Sequence, residues 1–258
     1  MPGVEPPPEA RPAAEEPGAG GPDPGLTALE ADDDGDPARF ASDRVAVARW
    51  AEGGDVLGPV AARLAEVGAR RVLDLGSGDG ELGRALARAD PAPWWCGLDR
   101  ASALLAVGPR PAVRADLSSV PLADASVDAA VALWVLYHLD RPAGALREVR
   151  RVLRPGGWCA TCTTARDDSP ELLEWFAPPP PTPFDAEEAE AVVGAVLDVV
   201  DVVRWDGPLV VLPDADAVAT YLRARGADPA DARAVAATVE VPFAVTRRGV
   251  LVWARRPG

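Results

Sequence analysis

The sequence predicts an α/β fold of the doubly wound type, on three observations. The run Val72-Leu73-Asp74-Leu75 is apolar and rich in branched residues, as a strand buried on both faces must be. It ends in the acidic, glycine-rich turn Gly76-Ser77-Gly78-Asp79-Gly80, after which Leu82, Ala85, Leu86 and Ala89 recur at helical spacing. Further strand-like apolar runs then alternate with amphipathic segments toward the C-terminus. A strand feeding a glycine turn and a helix is a nucleotide-binding corner. The missing side chains let backbone N–H groups approach a ligand, at the carboxyl end of a central strand where open α/β sheets place their ligands.

At 258 residues, 48% of them apolar, the chain has material for one large domain with appendages. All 26 basic residues are arginine, a compositional bias that carries no functional weight. The formal net charge of −14 argues against nucleic acid as a partner, because phosphate binding needs a basic face. No membrane span is expected, since no run of 18 apolar residues occurs, and no basic-then-apolar signal opens the chain. Cys96, Cys159 and Cys162 are sparse and odd in number, which fits a reducing cytoplasm rather than a disulfide framework. Oligomeric state is not legible.

Taken in order, residues 1–38 read as a disordered acidic tail rich in proline and glycine, followed by one folded domain over 39–258. The tail holds nine prolines and carries −9 of the −14. Helical spacing follows up to Gly68, with Val60, Leu64 and Val67 on one face. Trp50 ahead of them is a lid residue or, as its bulk favours, an anchor that packs the helix down. The first strand is Arg71–Leu75. The second, Trp94–Leu98, ends in Asp99. An acid at this strand tip can accept from both ribose hydroxyls, or it can cap the helix expected over Ala101–Ala106; its placement favours the ribose. Pro111–Ala115 is a short third strand closed by Asp116-Leu117, and Val127–Trp134 a fourth.

Pro142 opens an amphipathic helix with Leu146, Val149 and Leu153 inward and Arg147, Glu148, Arg150 and Arg151 outward. Arg154-Pro155-Gly156-Gly157 breaks it, and Trp158–Thr163 is a fifth strand. Cys159 and Cys162, three apart on a strand, point to opposite faces and read as core thiols. A short polar helix over Arg166–Phe176 and a stiff proline spacer over Pro178–Pro183 precede a helix from Phe184 to Val196. Val199–Trp205 is a sixth strand and Leu209–Leu212 a separate apolar segment. Asp214 caps a helix carrying Val218, Tyr221 and Leu222, a second helix spans Ala230–Val239, and Val250–Ala254 is the last strand.

The glycine spacing decides between ligands. A dinucleotide fingerprint needs a third glycine where Glu81 stands, whereas Asp74-Leu75-Gly76-Ser77-Gly78-Asp79-Gly80 resembles the first motif of class I S-adenosyl-L-methionine (SAM) methyltransferases. The run from Asp128 to Gly157, with Leu146-Arg147-Glu148-Val149-Arg150-Arg151 leading into Arg154-Pro155-Gly156-Gly157, resembles the small-molecule, ubiquinone-biosynthesis-like branch of that family. One position departs from the family's spacing there. The resemblance implies a Rossmann-like, mostly parallel seven-stranded sheet whose last strand returns antiparallel between strands five and six.

It also implies SAM as cofactor and a small-molecule methyl acceptor. Cofactor contacts then fall on Asp74, Gly76, Ser77, Gly78, Gly80 and Asp99, on Asp116 and the Leu117 N–H at the adenine, and on Trp134. Asp116 also reads as a turn cap. His138 is the one histidine, on the rim where an acceptor would meet the methyl, and is either a general base or a locally bonded helix-start residue. No metal site is expected. The rival reading is a catalytically inactive SAM-binding or scaffold protein of the same fold.

Overall fold

The computed structural model describes residues 36–51 and 56–258, the side chain of Val47 excepted. Most of the segment read as an acidic tail lies outside these residues. Asp36, Pro37 and Ala38, which that reading included, instead begin α1 (Pro37–Ala48). The Asp36 carboxylate accepts from the N–H groups of Ala38 and Arg39, and proline sits at the first helical position. That pair is a local start signal that a composition argument passes over.

Seven strands form one sheet in the order β3-β2-β1-β4-β5-β7-β6. They are β1 (Arg71–Leu75), β2 (Trp94–Asp99), β3 (Ala112–Arg114), β4 (Val127–Leu133), β5 (Leu153–Thr164), β6 (Asp198–Leu212) and β7 (Phe243–Arg255). The first five are parallel, and β7 runs antiparallel between β5 and β6. Helices α2 (Leu57–Glu66), α3 (Glu81–Leu86), α4 (Ser102–Val107), α5 (Pro142–Val152) and α6 (Ala186–Gly194) cover the sheet, and α7 (Ala215–Ala224) and α8 (Pro229–Ala236) fill the β6–β7 connection. No described helix is long and apolar enough to cross a membrane.

Alternation along the strands splits the core between the two faces. Leu73 and Leu75 join α5 and α6 on one side, while Val72 joins Leu57, Val60 and Leu64 of α2 on the other. The two thiols separate in the same way, Cys159 to the first cluster and Cys162 to the second. Burial pushes the Cys159 thiol up to about 12. A third cluster gathers α7, α8 and the adjoining ends of β6 and β7. Trp50 packs against it, and its carbonyl accepts from Val211, so it anchors the chain after α1.

Several segments differ from expectation. The helix after β1 stops at Leu86 and does not reach Ala89. The stretch Arg166–Phe176 holds only a 3-10 turn, Pro170–Glu174. Leu209–Leu212 is not separate but continues β6, because β7 is long enough to pair with Val210, Val211 and Leu212 beyond a register shift. Arg154-Pro155-Gly156-Gly157 does not interrupt the chain between α5 and a later strand; it is an irregular stretch of β5 itself. Pairing passes from Val127–Leu153 to Ala129–Trp158, so two steps on β4 match five on β5.

Asp128 fastens this bulge. Its carboxylate takes the Arg154 guanidinium at 2.6 Å and the N–H groups of Arg70 and Arg71 at 3.0 and 2.9 Å. Glu148 and Arg151, expected on a solvent face, are instead clamped to the turn before β4. Glu148 accepts from the Val120 N–H, and Arg151 donates to the carbonyls of Val120 and Leu122.

Candidate functional site

The corner after β1 is built from backbone. Gly76, Gly78 and Gly80 have φ of +66°, +54° and +81°, a region closed to most side-chain-bearing residues. The N–H groups of Gly76 and Ser77 both donate to the Leu98 carbonyl of β2, which ties the turn to the neighbouring strand. Gly80 then leads into α3.

Asp99, at the tip of β2, faces this turn. One carboxylate oxygen accepts from the Gly78 N–H at 2.8 Å and the other from the Ala101 N–H at 2.9 Å. The two readings of Asp99 are therefore not exclusive. Its carboxylate braces both the corner and the entry to α4, and each oxygen retains a second lone pair.

Asp74 lies beneath the turn, 4% exposed, and accepts from the Trp95 indole N–H at 3.1 Å. Burial pushes its carboxyl up to about 7; the Trp95 bond opposes the rise and the Asp99 charge adds to it. Trp95 is the floor of the corner. A side chain at Gly83 or Gly97 would run into its ring, so these two glycines exist to seat it. Ser77 is buried, and its hydroxyl has no hydrogen-bond partner among the described residues.

Asp116 and Leu117 follow β3, the neighbour of β2. Asp116 is exposed, and its carboxylate accepts from the Ser118 N–H and hydroxyl, which hold it below the usual carboxylate range. The Leu117 side chain is buried in the core, which leaves only its backbone for a ligand. Trp134 follows β4 with φ of +51° and donates its N–H to the Cys162 carbonyl. His138 ends a 3-10 turn, exposed, with its ring 4.3 Å from that of Tyr137.

Two contributors were not legible. Phe40 of α1 lies over Gly78, where its ring would stand 3.2 Å from an added side-chain carbon. Arg44, one turn on, pairs with Asp79 and with Glu81. Nothing in the sequence joins α1 to the corner, which lies 35 positions further along from Arg44. Trp95 had a signal in hindsight, a bulky residue with Gly83 and Gly97 in neighbouring elements.

The corner fits an adenosyl cofactor in chemistry. It combines a left-handed glycine turn, a buried hydroxyl without a partner and a carboxylate at the tip of the adjacent strand.

Comparisons with known proteins agree. Residues 73–161 match the family model of the methyltransferase domain. An uncharacterized methyltransferase of Mycobacterium tuberculosis is 39% identical over 114 residues, which are 42% of this chain and 44% of that protein. A ubiquinone biosynthesis O-methyltransferase of Paracidovorax citrulli is 33% identical over 121 residues, 43% of this chain and 50% of that one. The chain thus spans half or less of the length of these relatives. Among solved structures, the 4+2 cyclase SpnF superimposes with a TM-score of 0.56 at 19% identity, covering 86% of this chain and 98% of that one. A SAM-dependent methyltransferase of Archaeoglobus fulgidus gives 0.50 at 16% identity, covering 78% and 95%. Residues 73–161 thus resemble the methyltransferase domain family, and the chain as a whole shares its fold with these solved structures.

Proposed function

We propose that this chain transfers a methyl group from SAM to a small-molecule acceptor. The observation that carries the reading is the corner itself, with left-handed glycines, the Ser77 hydroxyl and Asp99 gathered at the carboxyl end of β1. When bound there, SAM supplies a methyl group activated on a sulfonium, so the protein needs no covalent nucleophile of its own. Gly76, Ser77, Gly78 and Gly80 give the close backbone approach. Asp99 accepts from the ribose hydroxyls with its remaining lone pairs, Asp116 and the Leu117 N–H meet the adenine, Asp74 supports the turn from below, and Trp134 walls the cofactor off.

What remains for the chain is to orient the acceptor, exclude water and take a proton where the acceptor loses one. His138, exposed just past β4, is the group we assign to that last task. A small acceptor is supported by the ubiquinone biosynthesis relative and by the acidic balance of the folded part, which disfavours nucleic acid. The folded domain then begins at Asp36, the cap of α1, rather than at Arg39.

A second reading, a protein of this fold that binds SAM without transferring methyl, is favoured by two observations. Phe40 already covers Gly78, and the fold is shared with the cyclase SpnF. Isothermal titration with SAM and with NAD tests both readings. Binding of SAM but not NAD is expected, together with release of S-adenosylhomocysteine when acceptors are supplied. Absence of SAM binding would sink both.

A further inference from the structure

A second polar site stands apart from the corner. Arg247 of β7 donates through Nε to both oxygens of Asp168, at 3.0 and 3.2 Å. Asp168 also accepts from the Arg248 N–H at 2.7 Å and the Ser169 hydroxyl at 3.2 Å, with the Arg225 guanidinium at 3.8 Å. The Asp168 side chain is 6% exposed and that of Arg247 19%, so the pair is built into the interior but reached from solvent. The guanidinium lies against the Tyr221 hydroxyl of α7 without the geometry of a hydrogen bond. Tyr221 is fully buried, and its hydroxyl has no hydrogen-bond partner among the described residues. Buried hydroxyls are almost always bonded, so this one calls for a ligand.

Its position suits an acceptor. β7 is antiparallel to β5 and pairs Gly249 with Thr164, so Arg247 stands at the carboxyl edge of the parallel strands, the edge that carries the corner. The strands run β1, β4, β5, β7, which sets Arg247 about 14 Å across the sheet from β1 and, by the register, about 16 Å beyond the level of Leu75. The backbone between is held in left-handed conformations at Trp134 and Ser169. Inward, two guanidiniums, Arg247 and Arg225, share the one carboxylate of Asp168. Arg248 turns outward to Asp167 and Asp206, and Glu171 is occupied by the Thr246 N–H and hydroxyl.

We propose that the terminal nitrogens of Arg247 and the hydroxyl of Tyr221 bind the carboxylate of an anionic methyl acceptor, with Asp168 positioning the guanidinium through Nε. A guanidinium edge presents parallel donors matched to a carboxylate, and the phenol adds a third. Calling the ligand an acceptor rests on the methyl-transfer reading; the carboxylate site itself does not.

The test titrates the full chain with benzoate and with benzamide, its neutral isostere, with and without S-adenosylhomocysteine. Benzoate should bind at least about tenfold more tightly than benzamide, and Arg247→Gln should lose that preference. Tyr221→Phe should weaken benzoate severalfold while melting no lower than wild type, since the hydroxyl has no partner to lose. A merely structural role would show the reverse, a lower melting point with benzoate binding unchanged. Equal or absent binding of benzoate and benzamide by wild type overturns the proposal. So does wild-type benzoate affinity in Tyr221→Phe, which keeps the test decisive if Arg247→Gln fails to fold. Lost SAM binding beside intact benzoate binding would remove the methyl-transfer reading and leave the anion site standing.

Discussion

The corner after β1 and the polar cluster at the head of β7 occupy the same edge of one sheet, yet they are made differently. The corner is local: Asp74 to Gly80 are consecutive, and its recognition chemistry is mainly backbone. The cluster is assembled from Asp168, Tyr221 and Arg247, which meet only because β7 folds back between β5 and β6. A backbone-built site must be specified by glycine spacing, which a linear sequence displays. A side-chain-built site is specified by topology, which it does not.

The largest effect should break the local site. Gly76→Val places a branched side chain at φ of +66° and onto Val135, so a loss of about 3 kcal/mol or more is expected with SAM binding abolished. A folded variant that titrates SAM normally would refute a backbone-built corner. Asp99→Ala should come next. It strips acceptors from the Gly78 and Ala101 N–H groups, costing about 2 kcal/mol in chemical denaturation and more than about tenfold in SAM affinity. Asp99→Asn should lose less of both. Loss of stability with SAM affinity intact would make Asp99 a brace only.

Asp74 sharpens the contrast through pH. Its carboxyl sits near 7 in the folded chain against 3.8 for the free group, so the folded state holds the proton more tightly. Its contribution to stability is complete below about pH 4 and lost as pH rises through about 7. Asp74→Asn stays neutral and still accepts from Trp95, so it should exceed wild type in stability near pH 8, by on the order of 2 kcal/mol, with the gap closing toward pH 4. A gap that does not change with pH would refute the buried-acid account.

A smaller effect separates the cofactor from α1 as the reason for glycine at 78. Gly78→Ala should cost about 1 kcal/mol, partly recovered in the Phe40→Ala background if the Phe40 ring is the obstacle. Additive melting shifts would place the constraint elsewhere. The smallest effect is expected from deleting residues 1–35, a cut placed ahead of Asp36 because that residue caps α1. The melting temperature should stay within error, and a clear drop would show that the segment docks on the domain.

Strand existence was legible wherever burial on both faces imposed a mostly apolar run, as in β1, β2 and β4. Strand ends were less so. The extension of β5 back to Leu153 depends on Asp128 and Arg154 holding a bulge that propensity reads as a break. The polar face of α5 was legible as polar, but not as the clamp that Glu148 and Arg151 make on the turn at Val120 and Leu122. At the site, Asp74, the glycines and Asp99 were all named from sequence, whereas Phe40, Arg44 and the seat of Trp95 were not.

The sequence by itself determined the fold class and the glycine turn of the corner. Each of these is encoded by residues close in the chain, through φ angles that favour glycine and apolar periodicities of two and 3.6. The tertiary structure alone decided that Asp99 braces two elements at once, that burial over Trp95 sets the protonation of Asp74, and that Arg247 meets Tyr221. Those outcomes depend on desolvation and on contacts between distant segments, quantities that exist only once the chain has closed on itself.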